Sequence, residues 1–469
     1  MKSFLFKTAI VVNKIFLIIF SLLEPILKLI YDTARNKKPL PPIKDVVLTK
    51  SAQQLSLLIR SRKVTCKQVV EAFIKRIEEV NDEINAVVYK RYKEALIEAD
   101  NVDQILSNDT NPEVYNEINC PFLGVPITIK EAIAVKGCPQ TSGLLSRKNV
   151  TAEIDADTVA LLKKAGAIIV ATTNISEVCM WYESSNLHYG RTKNAYHRGR
   201  IVGGSSGGEG CLQSVAGSAF GLGSDVGGSI RMPAFFNGVF GHKTTSGVVS
   251  NSGQYPMAKG TTENLLSTGP LCRYASDLIP ILKVIVLPEH LNKLNLDQKV
   301  CIHEIKLFYM DEGDCFFTSK VHPDIRECME KAVDHFRQLG CEVERVNWWQ
   351  FKYSLLIWAC KMSNNDEKVS FNMLMGNMKH EVNPFLELLL WLLLCPRHTL
   401  PAICLGIMEK YSYSRQLLEW AEITNIDLRN DIELMLGNNG VFLYPTLIRY
   451  RDFLKGKSSG GFSDCCFSV

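Results

Sequence analysis

The chain has 469 residues, 46% hydrophobic and 22% charged, with a formal net charge of +4. That is apolar material enough for one large core, and the near-balanced charge argues against nucleic acid as a partner. The fifteen cysteines follow no disulfide framework and read as free thiols facing a reducing compartment, with a few lumenal disulfides left open. No H-E-x-x-H occurs, and Cys465 and Cys466 are adjacent rather than spaced for zinc, so neither a metal nor another cofactor is expected.

In chain order, residues Phe4 to Ile30 are mostly apolar around an uninterrupted run, Ile15–Leu23. The segment is long enough to cross a hydrocarbon layer of roughly 30 Å. Lys7, Asn13, Lys14 and Glu24 interrupt it, which keeps open a helix lying in the interface. A signal peptide is a further alternative, although no small-residue cleavage site is apparent. The preferred reading is an uncleaved anchor over residues 1–34, followed by a linker, 35–45, in which Pro39–Ile43 is a stiff spacer.

Next, Ser51-x-x-Gln54 and Thr65-x-x-Gln68 are capping-box signals, each ahead of an amphipathic run. Gly124–Ile129 is a strand-like apolar run ending in Lys130. A helix over Ala156–Ala165 and a strand over Ile168–Ala171 continue an α/β alternation. After Gly269-Pro270 helices are expected to dominate until another core strand at Gly440–Tyr444. Within that region Pro384–Cys395 and Leu400–Met408 are apolar blocks broken by Pro396 and Pro401, each too short to span a membrane. A buried helix pair is their plain reading.

The most informative stretch is Gly203–Ser229, which packs paired glycines against serines in GGSSGG and again in GGS. Glycine is costly in regular elements, so this density marks backbone that turns sharply or approaches something closely. No Gly-Lys-Ser/Thr follows, which excludes a Walker loop, and Gly221, Gly223 and Gly227 miss the dinucleotide spacing by one. Gly204–Gly208 does match the G-x-S-x-G nucleophile elbow at Ser206, but the preceding Arg198–Val202 is too short and charged for the required strand. Nor does any later histidine (His242, His303, His322) sit in a recognisable setting. A third reading joins Lys130, Ser205 and Ser229 as a Lys–Ser–Ser relay. Any one of these serines read alone is an idle loop residue; the constellation is not.

These motifs resemble the amidase signature family, from about Leu48 to about Tyr444. They include Cys179–Asn186, Ile201–Cys211, Gly227–Asn237 and Thr268–Arg273. The resemblance lies with the branch that cleaves lipid amides. The soluble glutamyl-tRNA amidotransferase subunit shares the signature but has no use for an N-terminal apolar segment. The resemblance implies an α/β fold of the amidase-signature type: a single large domain, 46–446, with a mixed β-sheet flanked by helices, plus the N-terminal membrane helix.

It also implies roles. Ser229 is the nucleophile, Lys130 the base, Ser205 the bridge between them, and Ser206 a supporting hydrogen-bonder. Backbone N–H groups of Val226, Gly227, Gly228 and Ser229 form the oxyanion hole, and Arg231 anchors their loop. A cis peptide is expected at Gly204–Ser205. Cys179, Met180, Trp181 and Tyr182 line an acyl channel, the alternative being plain core. The two apolar blocks become a hydrophobic cap on the bilayer. The substrate is then a lipid amide, an ester being the easier variant, and the partner is a membrane, with no nucleic acid. Attachment is single-pass or monotopic, an internal membrane is the expected location, and a homodimer is one option for the assembly.

The chemistry suits these residue types. A serine hydroxyl attacks only when a base takes its proton. Lysine serves as that base once burial brings its pKa from about 10.4 toward about 7–8, and the apolar run before Lys130 fits such burial. After Thr446 the family pattern stops, and Leu447–Val469 is a divergent tail rich in Lys, Gly and Ser. The alternative function is therefore a C-terminally incomplete, catalytically impaired membrane form with an interaction or regulatory role.

Overall fold

The computed structural model describes residues 39–108, 113–315, 318, 320–363, 369–411 and 413–446. The proposed anchor, the first residues of the linker and the divergent tail lie outside the described residues. Among the described residues no helix is long and apolar enough to cross a membrane.

Contacts divide the chain into two compact units, where a single domain was expected. The larger comprises residues 39–296 and 369–411. Its strands, in chain order, are β1 (Val87–Lys90), β2 (Pro126–Lys130), β3 (Ile168–Thr173), β4 (Ser185–Asn186), β5 (Gly190–Arg191), β6 (Phe220–Asp225), β7 (Phe240–Gly241) and β8 (Ser267–Cys272). Six of them form a mixed sheet in the order β1-β3-β2-β6-β8-β7, while β4 and β5 pair by themselves. β2 runs parallel to both β3 and β6, and the outer strands are antiparallel. Every residue of β2, β3 and β6 is buried, as expected of parallel strands covered on both faces.

Both capping boxes form as anticipated, starting the helices Ala52–Arg60 and Cys66–Ile84. The second buries Val69, Val70, Phe73, Ile77, Val80 and Ile84 along one stripe against the sheet. The helix Asp157–Lys164 leads into β3, matching the predicted alternation.

The smaller unit holds a parallel sheet of β9 (Lys306–Tyr309), β10 (Glu342–Arg345) and β11 (Gly440–Leu443), in the order β10-β9-β11. The strand anticipated at Gly440–Tyr444 is thus real but belongs to this second sheet, braced by rings of Trp348, Phe351 and Tyr444 around Phe442. β9 and β10 were not anticipated among the helices. They are four residues each, and β10 is mostly exposed and charged, so neither carries a readable alternation.

The apolar blocks form helices Pro384–Leu392 and Leu400–Glu409. The buried-pair reading is overturned: Leu392 and Leu393 are each 63% exposed, Leu394 88% and Met408 61%.

Glycine makes one approach possible. The helix Gly207–Ser214 meets the end of β3 at Gly208, where an added Cβ would fall 2.5 Å from Asn174 N and 2.6 Å from Asn174 O. Both are backbone atoms and cannot swing away. Gly208→Ala is expected to destabilise the larger unit by about 1–3 kcal/mol, read as a lowered midpoint in urea; an unchanged midpoint would contradict this packing.

Candidate active site

Because β2 and β6 are parallel, their carboxyl ends share one edge of the sheet, the edge where α/β proteins place their ligands. Lys130 ends β2, and Ser224 and Asp225 end β6. Two loops close over that edge. One carries Ser205 and Ser206 into the helix Gly207–Ser214, and the other carries Val226–Ile230 into the helix Arg231–Asn237.

Lys130 has no solvent exposure. Its Nζ lies 2.7 Å from Ser205 Oγ, 3.0 Å from Ser224 Oγ and 3.3 Å from Ser224 O. Burial holds the amine below its ordinary pKa, against the opposing pull of Cys179, Asp225 and Glu209. The peptide Gly204–Ser205 is cis, as anticipated.

Ser206 ties the two loops together: its N–H donates to Ser229 O at 3.1 Å, and its hydroxyl donates to Ser224 O at 3.4 Å. No strand leads into Ser206, so the elbow reading falls. Ser229 is half-buried at the start of the second helix, and its hydroxyl takes part in no hydrogen bond among the described residues. Lys130 and Ser205 are therefore in contact, while the Ser205–Ser229 link is not made. Catalytic hydrogen bonds are often long in unliganded sites and tighten on binding.

Asp225 organises the oxyanion loop. It is fully buried and accepts from Gly228 N (2.7 Å), Ile230 N (3.0 Å) and two nitrogens of the Arg231 guanidinium (3.0 and 2.9 Å). Burial would raise its carboxyl, but Arg231 and these amides outweigh that and leave it below the ordinary range. Arg231 thus touches the loop's carboxylate, as an anchor would. One expectation needs correction. The Gly228 amide is engaged by Asp225, and only the amides of Val226, Gly227 and Ser229 of this set lack a partner among the described residues.

Sequence reasoning passed over four residues here: Ser224, Asp225, Glu131 and Glu209. Asp225 stands two residues before the GGS run and Glu131 directly after Lys130, but nothing in linear spacing shows what they face. Both glutamates are fully buried, and burial pushes each up to about 7. Glu209 accepts from Thr128 Oγ1 (2.7 Å) and Thr173 Oγ1 (2.8 Å). Glu131 accepts from Thr141 N (2.5 Å), Thr141 Oγ1 (2.7 Å), Ser142 N (2.9 Å) and Tyr189 Oη (3.2 Å).

The segment bearing Cys179–Tyr182 lies against this machinery. Cys179 Sγ lies 3.9 Å from Ser142 Oγ. Ser176 Oγ donates to Trp181 O (3.0 Å) and Glu183 O (2.8 Å), and a Cβ at Gly204 would fall 2.3 Å from Trp181 O. Trp181 and Tyr182 are 40% and 49% exposed with rings 5.3 Å apart, so they are not core. Met180 packs on the cluster of Leu144, Val178, Tyr255 and Met375.

The profile of the Amidase family matches residues 68–387. Fatty-acid amide hydrolase 2 of Homo sapiens is 47% identical over 86% of this chain and 77% of its own length. Fatty-acid amide hydrolase 2-A of Danio rerio is 44% identical over 87% and 77%. Fatty-acid amide hydrolase 2-B of the same fish is 41% identical over 93% and 82%. A solved fatty acid amide hydrolase superposes with a TM-score of 0.68 at 22% identity, over 87% of this chain and 70% of that one, which shows a shared fold. The chain belongs to the amidase family and is an amide-hydrolysing enzyme acting on carbon–nitrogen bonds.

Proposed function

We propose that the enzyme hydrolyses fatty-acid amides to fatty acid and amine through an acyl-enzyme on Ser229. One observation carries the reading: a lysine amine with no solvent exposure lies 2.7 Å from the Ser205 hydroxyl, beside the loop that bears Ser229. Neutral Lys130 takes the Ser205 proton as Ser205 takes that of Ser229, whose oxygen attacks the amide carbon. The N–H groups of Val226, Gly227 and Ser229 receive the developing oxyanion. The proton then returns through Ser205 to the departing nitrogen, and water releases the acid by the reverse path. Such delivery suits an amide, whose nitrogen leaves only once protonated.

The names of the relatives, fatty-acid amide hydrolase 2, 2-A and 2-B, support an acyl amide as substrate. The exposed apolar face of Phe385, Leu389, Leu392 and Leu394 supports uptake from a lipid surface. With the apolar segment Phe4–Ile30 it fits a membrane-attached enzyme, single-pass or monotopic. Cys179, Met180, Trp181 and Tyr182 are assigned to the acyl channel.

A fluorophosphonate probe is expected to label the wild type and not Ser229→Ala. Labelling that survives Ser229→Ala but is lost in Ser206→Ala would replace this assignment, and an unlabelled, well-folded wild type would favour a non-catalytic form. For pH, protonated Lys130 cannot accept a proton, so kcat/KM rises with pH through the lowered lysine pKa and levels off well below about 10.4. Lys130→Ala is expected to lose roughly 10²–10⁴-fold and the rise itself; a profile unaltered by that change refutes lysine as base. Asp225→Asn, which weakens the hold on Arg231 and Gly228, should lower kcat by on the order of 10–10²-fold with KM little changed, measured by steady-state kinetics.

A further inference from the structure

The turn between the two apolar helices is fastened at three consecutive residues. Arg397 forms a two-pronged pair with Glu387, itself buried on the first helix. His398 Nδ1 lies 2.7 Å from Glu177 Oε1, and the Thr399 N–H donates to Glu177 Oε2 at 2.7 Å. The side chains of His398 and Glu177 are 8% and 2% exposed, so this clasp is closed to solvent. Thr399 is the N-cap of Leu400–Glu409 but makes no side-chain cap bond. The Glu177 carboxylate supplies the missing acceptor, with its negative charge at the favourable end of the helix.

Glu177 also begins the segment that bears the channel residues. Val178 N–H donates to Ser142 O at 2.9 Å, Trp181 O bears on Gly204, and Ser184 Oγ donates to Ser205 O at 3.1 Å. One carboxylate therefore touches the exposed apolar hairpin, while the residues after it touch the backbone at Gly204 and the bridging serine.

We propose that Glu177 is a positioning residue tying the exposed apolar hairpin to the channel loop seated on Ser205, so that the hairpin's engagement with lipid sets the loop's fit around a long acyl chain. This rests on the lipid-amide hydrolase reading above. A short acyl group does not reach far along the channel, so its turnover should be indifferent to the tie.

The test compares the full-length wild type with Glu177→Ala, Glu177→Gln and His398→Leu, using oleoyl amide in phosphatidylcholine vesicles and a water-soluble butyryl anilide. Fluorophosphonate labelling of Ser229 and thermal melts run alongside. Glu177→Ala and His398→Leu should each raise KM for the vesicle-borne amide on the order of ten-fold, with kcat/KM on the anilide within about two-fold of wild type. The double variant should lose no more than either single one, because both break the same contact. Glu177→Gln should recover wild-type behaviour: its amide oxygen still accepts from Thr399 N–H, and its NH₂ can donate to His398 in the other tautomer. Equal losses on both substrates, or no change on either, overturn the proposal even where the wild type is labelled and active. A wild type neither labelled nor active sinks the hydrolase reading instead, and the tie with it.

Discussion

Lys130 is an amine buried among acids, and its surroundings set burial, which lowers its pKa, against carboxylates that raise it. Its Nζ has two serine hydroxyls and a carbonyl for company and no solvent exposure. Desolvation favours the neutral form, whereas every nearby carboxylate favours the ammonium. The neighbouring acids each have donors of their own. Asp225 is matched by Arg231 and backbone amides, Glu209 by two threonine hydroxyls, and burial pushes Glu209 up to about 7. A bare carboxylate at either place would favour the ammonium more strongly.

The scaffold follows from that need. Three adjacent strands buried on both faces give the lysine a dry end to stand on, and their parallel run brings Ser224 and Asp225 to the same edge. The serine loops reach it because glycines at positions 204 and 208 let backbone pass where a side chain would strike Trp181 or Asn174. Asp225 then shapes the second loop through one carboxylate that takes both a guanidinium and the amides of Gly228 and Ile230, while the N–H groups of Val226, Gly227 and Ser229 have no partner among the described residues.

Beyond the catalytic edge, the larger unit exposes apolar helices that a water-soluble surface would avoid. The clasp from His398 and Thr399 to Glu177 links these helices to the segment Cys179–Tyr182 by buried, directional bonds rather than by packing alone. Buried hydrogen bonds of this kind specify one arrangement, because leaving either partner unmatched is costly.

Much was legible in the linear chain wherever a rule is local. The capping boxes at Ser51 and Thr65 name their own partners three residues on, and the apolar run before Lys130 announces a buried strand. The serine and glycine spacing of Gly203–Ser229, with the lysine ending the upstream apolar run and the resemblance both carry, pointed to Lys130, Ser205 and Ser229 together, and folding brings Lys130 and Ser205 into contact. What stayed hidden depends on residues far apart in the chain. Periodicity cannot say whether an apolar helix such as Pro384–Leu392 faces core or solvent, because either environment writes the same letters. Short charged strands such as Glu342–Arg345 exist only through their pairing. The Gly228 amide is spent on Asp225, and Glu177 meets His398, only because folding brings those atoms within about 3 Å of each other, and hydrogen bonds are that short-ranged. Sequence alone marked which side chains belong together; the tertiary structure decided which of them touch, which amides stay free and which apolar surface is left exposed, because those outcomes depend on atoms far apart in the chain.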